Sequence, residues 1–239
     1  MSATAGRAWP PELVDRARAL AEGRLTPTAP KHAATVVLVR DAPAPRPDGR
    51  LEVFLLRRVT TMAFAAGMHV FPGGKVDPLD DLGSDVELPQ RWADELTAGD
   101  PALLRRVIAA AMRETIEEAG VILAPAELQP FAHWVTPEIE PRRYDTRFLI
   151  AALPAGQRAS RADAEADRGM WVSPTAGTAL EMMPPTRAAL ADLADCPDVA
   201  AALGRARAIR RIQPRLVSDG DTLRFTLDDE MAAGPADGQ

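Results

Sequence analysis

The segment Asp100–Gly120 constrains the fold more than any other part of this chain. Asp100 is a strong N-cap, Pro101 suits the first helical position and Gly120 is a stop signal. Between them Leu104, Ile108, Met112 and Ile116 recur every four residues, and the spacing predicts a helix packed through one apolar face. Glu114, Glu117 and Glu118 sit at i, i+3 and i+4 and share another face, away from Met112 and Ile116. Like charges at that spacing destabilise a helix by about 0.2–0.5 kcal/mol per pair. A hard divalent cation turns the same crowding into binding energy, because Mg2+ and Mn2+ take carboxylate, carbonyl and water oxygens.

Upstream, a short strand over Met68–Phe71 runs into Gly73-Gly74, followed by Lys75-Val76-Asp77-Pro78-Leu79-Asp80. Alone, a Gly pair after a strand reads as a turn. With the acidic helix downstream it reads as a place of close backbone approach.

Together the two stretches resemble the Nudix box: Gly, five residues, Glu, seven residues, then Arg-Glu-apolar-any-Glu-Glu-any-Gly-apolar. Gly74 takes the leading Gly, Asp80 stands where the first Glu is usual, and Arg113–Val121 matches the second half, with Thr115 at a usually aliphatic position. The spacer departs from the pattern, with thirty-two residues (81–112) in place of seven. The resemblance implies an α/β fold, a Nudix-type α/β/α sandwich with a mixed sheet, here carrying a helical C-terminal extension. It also implies a divalent-metal-dependent hydrolase in which water attacks the phosphorus of a diphosphate linked to another group. Metal ions would polarise the phosphoryl oxygens and offset the charge on the leaving phosphate.

By resemblance Glu117 and Glu118 are Mg2+ or Mn2+ ligands, and Glu114 is a ligand or the general base. The Gly74 carbonyl and Asp80 complete the metal set, and Arg113 holds a carboxylate in place. Many family members use a further carboxylate from a later loop. Glu165 is favoured over Asp167, Glu138 and Glu140, because it precedes Gly169-Met170-Trp171-Val172-Ser173-Pro174, a setting similar to the family's late strand.

Arg58, with Gly67-Met68-His69-Val70-Phe71-Pro72-Gly73-Gly74, is similar to the signature upstream of the box in coenzyme A diphosphatases. With the long spacer, it resembles the branch containing the mammalian peroxisomal coenzyme A diphosphatase. A basic residue of that signature falls at Ala63. The resemblance makes coenzyme A or an acyl derivative a candidate among nucleoside-diphosphate-linked substrates, with Arg58, Gly67 and His69 as contacts. Arg143 and Tyr144 either hold phosphate and base or form a charged loop entering a strand. For His69 and His133 a packed, hydrogen-bonded role is the commoner alternative to substrate contact.

The net charge is −6 and the pI about 5.2, which argues against nucleic-acid binding, since that runs on Lys and Arg neutralising phosphates. No apolar run approaches the ~18 residues of a membrane span. The N-terminus has no basic-then-apolar signal pattern, and the expected compartment is the cytoplasm. Cys196 is the only cysteine, excluding an intramolecular disulfide, and burial is its expected role.

The remaining pattern predicts a helix over Pro11–Glu22 and strands over Ala33–Val39, Leu51–Arg58, Phe131–Val135, Arg147–Leu153, Gly169–Val172 and Leu223–Leu227. Asp41–Arg50 reads as a Pro/Gly loop, and helices are expected over Gln90–Leu96, Thr175–Leu180, Thr186–Ala194 and Val199–Ile212. The expected organisation is an N-terminal tail and helix (1–30), a hydrolase domain (31–228) with the box insert 81–112 and a helical extension 175–212, and a disordered tail (229–239). A homodimer is compatible with the resemblance. The alternative to an enzyme is a Nudix-fold module that binds a nucleotide-like ligand without cleaving it. Such a module would be expected to have lost box acids, and here the three helix glutamates remain.

Overall fold

The computed structural model describes residues 11–58, 67–160, 166–219 and 222–226. The chain gathers into two compact units that interleave along the sequence. The larger comprises His32–Ala132 and Thr146–Arg210; the smaller takes Met1–Lys31, His133–Asp145 and Arg211–Gln239.

The larger unit is built on strands β1 (Lys31–Arg46), β2 (Gly49–Arg58), β3 (His69–Val70), β4 (Gly73–Lys75), β5 (Gln129–Val135), β6 (Tyr144–Ala152) and β7 (Ala166–Val172). Its sheet runs β3-β2-β1-β6-β5, with β4 also pairing with β1 and β7 with β2. Leu51 to Leu56 of β2 are buried without interruption, so both faces of this strand are covered. Helices α2 (Gln90–Thr97) and α3 (Pro101–Ala119) close one face. There Val36, Leu38, Phe54, Leu56, Trp92, Leu96, Leu104, Val107, Ile108 and Leu149 form one core. Each large side chain fully removed from water contributes about 1.5–3 kcal/mol. Helices α4 (Pro174–Gly177), α5 (Pro184–Leu193) and α6 (Val199–Gly204) follow β7, with α4 and α6 contacting β2. No helix among the described residues is long and apolar enough to cross a membrane.

The smaller unit holds α1 (Pro11–Ala21), β8 (Arg211–Ile212) and the antiparallel hairpin β9 (Arg215–Asp219) with β10 (Thr222–Thr226). It also holds the adjoining ends of β5 and β6. β8 pairs in parallel with the end of β5, which makes the sheet mixed. The Arg16 guanidinium donates to the Ile139 carbonyl at 2.5 Å, fastening α1 within this unit.

Helix α3 begins as its sequence dictates. Asp100 accepts hydrogen bonds from the amides of Ala102 (2.9 Å) and Leu103 (3.0 Å), Pro101 opens the helix, and Gly120 ends it at φ 68°. Its buried face differs from the expected one. Residues four apart drift by about 40° per step around a helix of 3.6 residues per turn. Leu104 and Ile108 are buried, but Ile116 has rotated out to 41% exposure. Thr115, Glu118 and Ala119 face inward in its place.

Three other expectations change. The stretch Asp41–Arg46 is strand and not loop: β1 continues to Arg46, and its pairing with β2 shifts register between Asp41 and Arg46, an irregularity that accommodates proline. The helix expected over Val199–Ile212 stops at Gly204. Beyond it Arg207 turns back, its Nη1 donating to the Ala202 carbonyl and its guanidinium lying 4.5 Å from the centre of the Phe131 ring. The strand β9 was not expected. Residues 227–239 lie outside the described residues.

Candidate active site

Both glycines of the Gly73-Gly74 pair sit in β4, paired across to β1 through Thr35↔Gly73 and Ala34↔Gly74. Neither has positive φ, so what each needs is room and not an unusual backbone angle. A Cβ at Gly73 would collide with the backbone of Ala34 and Thr35, and one at Gly74 would overlap the Glu114 carboxylate. The pair therefore brings α3 hard against β4. The Gly73 amide donates to Glu118 Oε2 at 2.8 Å, which ties the leading glycines directly to the acidic helix.

Arg113 organises the rest. Its Nε and Nη2 donate to Asp80 Oδ1 and Oδ2 at 2.8 and 3.0 Å, Nη1 donates to Glu114 Oε1 at 2.7 Å, and Nη2 also reaches the Lys75 carbonyl at 3.1 Å. The Asp77 amide donates to Asp80 Oδ2 at 2.7 Å. Arg106, two turns back on α3, donates through Nη2 to the Asp77 carbonyl at 3.2 Å. The two box halves, far apart in sequence, thus meet in one network.

The charges respond to this packing. Burial pushes the Asp80 carboxyl upward, but hydrogen bonds from Arg113 and the Asp77 amide, with the charges of Arg113 and Arg106, outweigh it and hold it below its usual range. Glu114 is held above its usual range, first by burial and then by the charges of Glu117 and Asp80, which its bond to Arg113 only partly offsets. The Arg113 guanidinium is held more firmly protonated, chiefly by Asp80.

Glu114 and Glu118 flank the glycine pair, whereas the Glu117 side chain is 55% exposed and 3.4 Å from Arg113 Nη1. Among the described residues no three His, Cys, Asp or Glu side chains are grouped as around a metal ion. The reason is local. Arg113 draws Glu114 one way, the Gly73 amide draws Glu118 another, and Asp80 gives both oxygens to Arg113. Asp80, expected as a ligand, is in this arrangement the partner of Arg113. The donor chemistry still fits a hard cation: carboxylates and backbone carbonyls, with no sulfur or imidazole in the network.

The other expected site residues fall in several places. Gly67 and His69 line a cleft of about 350 Å³ with Arg57, Met170 and Glu181. The His69 amide donates to the Glu181 carbonyl at 2.8 Å, and its ring Nδ1 lies 3.2 Å from the same oxygen. Arg58 closes β2, its amide bonded to the Met68 carbonyl. Arg143 belongs to the smaller unit and is buried, its guanidinium donating to the carbonyls of Thr136 (3.1 Å) and Thr28 (2.8 Å), a structural use in place of the expected substrate contact. Tyr144, half-buried at the start of β6, belongs to that unit too. His133 is buried there against Asp145 Oδ1. Glu165 and Ala63 lie outside the described residues. Cys196 is buried, as expected. Sequence reasoning missed Arg57, Met170, Glu181 and Arg106; only Arg106 carried a signal, standing seven residues before Arg113 on the same helix.

Comparison with known proteins places the fold. A family model described as NUDIX domain matches residues 30–193. Among solved structures, a NUDIX hydrolase from Alicyclobacillus acidocaldarius is 25% identical with a TM-score of 0.57, the match covering 76% of this chain and 98% of that one. More distant matches include an Ap4A hydrolase binary complex from C. elegans (17% identity, TM-score 0.46, 73% of this chain and 99% of that one). Another is the NUDIX domain of Shewanella oneidensis NrtR complexed with ADP ribose (15%, 0.46, 73% and 94%).

Proposed function

This chain belongs to the Nudix family, and we propose that it is a pyrophosphohydrolase that cleaves the diphosphate of a nucleoside-diphosphate-linked small molecule at the junction of β4 and α3. The observation that carries the reading is the joining of Gly73 and Gly74 to Glu118 and Glu114, with Arg113 bridging to Asp80. Nudix hydrolases generally use divalent metals. Glu114, Glu117, Glu118 and the Gly74 carbonyl are the residues that would hold the ion here. A divalent ion at these oxygens supplies polarisation of the phosphoryl oxygens and charge to offset the leaving phosphate.

The chain's own contribution is positional and electrostatic. Arg113 engages Oε1 of Glu114; where Glu114 serves as the general base and not as a ligand, its Oε2 accepts the proton of the attacking water. Burial raises the proton affinity of that carboxylate and so improves it as a base. Asp80 acts through Arg113, fixing the guanidinium by a two-pronged bond. Glu165 is the proposed late acid.

For the substrate, coenzyme A or an acyl-coenzyme A is the finer proposal. It is supported by the signature from Arg58 to Gly74, two of whose residues, Gly67 and His69, line the cleft beside Arg57 and Glu181. The test is a panel of diphosphate compounds incubated with Mg2+ or Mn2+ and the products weighed by mass spectrometry. Cleavage between the two phosphorus atoms supports hydrolysis; an inactive protein that binds members of the panel supports the binding-module alternative.

A further inference from the structure

The segment between the two halves of the box does more than separate them. Its last part, from Pro101 to Met112, is the first three turns of α3. Arg106 and Arg113 are seven residues apart and therefore lie on one stripe, about two turns from each other. Both reach toward the chain between Lys75 and Asp80. Arg113 grips Asp80 and the Lys75 carbonyl. Arg106 Nη2 donates to the Asp77 carbonyl at 3.2 Å, and that same oxygen accepts the Asp80 amide at 3.1 Å, closing the turn over 77–80. The charge of Arg106 also favours the ionised form of Asp80.

Arg106 Nε is buried without a hydrogen-bond partner among the described residues. An orphaned guanidinium N–H is costly, so burial alone gives no reason for an arginine at this place. The reason lies in what its other nitrogen holds. In a box with a seven-residue spacer, the position seven before the arginine immediately follows the acid and cannot stand two helical turns away. Only a long spacer lets α3 extend far enough back to place a second arginine over the turn.

We propose that Arg106, supplied by the inserted segment, is a positioning residue for diphosphate hydrolysis. It holds the 77–80 turn and, through Asp80, sets Arg113 and Glu114. This inference rests on the function proposed above. The test combines steady-state kinetics on the best diphosphate of the panel with amide hydrogen exchange, for Arg106→Ala, Arg106→Lys and, as a control in the same insert, Arg91→Ala. Arg91 is exposed on α2. Arg106→Ala should lower kcat tenfold or more with KM changed less than about threefold. It should speed exchange at the Asp77 and Asp80 amides while α3 keeps its protection. Arg106→Lys should recover most of kcat, and Arg91→Ala should match the wild type. Unchanged kcat, whether or not exchange at 77 and 80 changes, overturns the proposal. So does a loss of protection spread along the whole of α3, which marks a merely structural role. If the wild type cleaves no diphosphate, the proposed function fails by itself, and the exchange measurement still decides whether Arg106 holds the turn.

Discussion

Arg113 holds both carboxylate oxygens of Asp80, at 2.8 and 3.0 Å, across a sequence separation of 33 residues. The Asp80 side chain is only 6% exposed and that of Arg113 30%, so the pair is sheltered from solvent on one side and screened on the other. Replacing Asp80 with Asn removes the charge and keeps the volume. Thermal or urea unfolding should show a loss of about 1–3 kcal/mol at neutral pH. An unchanged midpoint would mean that the clamp contributes nothing to stability.

The same pair sets an acid dependence. A carboxyl whose folded pKa lies below its ordinary value of 3.8 contributes stability above that value and loses it as pH falls through the folded pKa. Below about pH 4 the wild type should therefore lose stability more steeply than Asp80→Asn, and the two curves should converge. Glu114 has the opposite sign. Its folded pKa lies above the ordinary 4.5, so it costs stability as pH rises from there through the folded pKa. Glu114→Gln should consequently unfold at a higher temperature than the wild type at pH 7, while losing turnover. A lower unfolding temperature would contradict the sign given to Glu114.

The two glycines should respond differently to alanine. At Gly73 the added methyl meets backbone, which cannot give way, and the loss of stability should be large, of the order of 1–3 kcal/mol. At Gly74 it meets the end of the Glu114 side chain, which can swing aside. Gly74→Ala should therefore stay folded and lose mainly kcat. Unfolding curves and kinetics on the two variants check this; equal destabilisation would show that the Glu114 contact is as rigid as the backbone one.

Substrate choice is tested by kcat/KM for coenzyme A, dephospho-coenzyme A, ADP-ribose and NADH. The finer proposal expects coenzyme A or an acyl derivative to lead. A tenfold preference for ADP-ribose or NADH would remove it and leave the general diphosphate reading in place.

How far the sequence revealed this molecule depends on whether the signal was local. Asp100, Pro101 and Gly120 act within one turn of themselves, and α3 starts and stops where they require. The proximity of Gly73 and Gly74 to the acids was legible from the pattern of the box, despite the inserted segment. What the sequence did not show depends on packing. Ile116 belongs to a four-residue row that drifts off the buried face, while Thr115 turns inward with its hydroxyl on the Ala111 carbonyl. Asp41–Arg46 carries two prolines and still forms strand, because the ladder with β2 tolerates an irregularity there. The pairing of Asp80 with Arg113 in place of a metal set, and the reach of Arg106 to Asp77, depend on the direction in which α3 passes the 75–80 segment. Residue spacing does not encode that direction.

Metal binding is the remaining link between this arrangement and chemistry. If Glu114, Glu117 and Glu118 take a divalent ion, Mn2+ should raise the unfolding temperature, with about 2.7 kcal/mol of stabilisation at a hundred times Kd. The double variant Glu117→Gln, Glu118→Gln should abolish the shift. A shift that survives in the double variant would place the ion elsewhere.

Metal-dependent diphosphate hydrolysis is tested by turnover of a diphosphate substrate by Glu117→Gln against the wild type, in Mg2+ or Mn2+. This change removes one carboxylate charge at an exposed position and almost no volume. The wild type should cleave between the two phosphorus atoms, and kcat should be lower by two or more orders of magnitude in the variant, which should unfold at a similar temperature. An unchanged kcat in Glu117→Gln would contradict this.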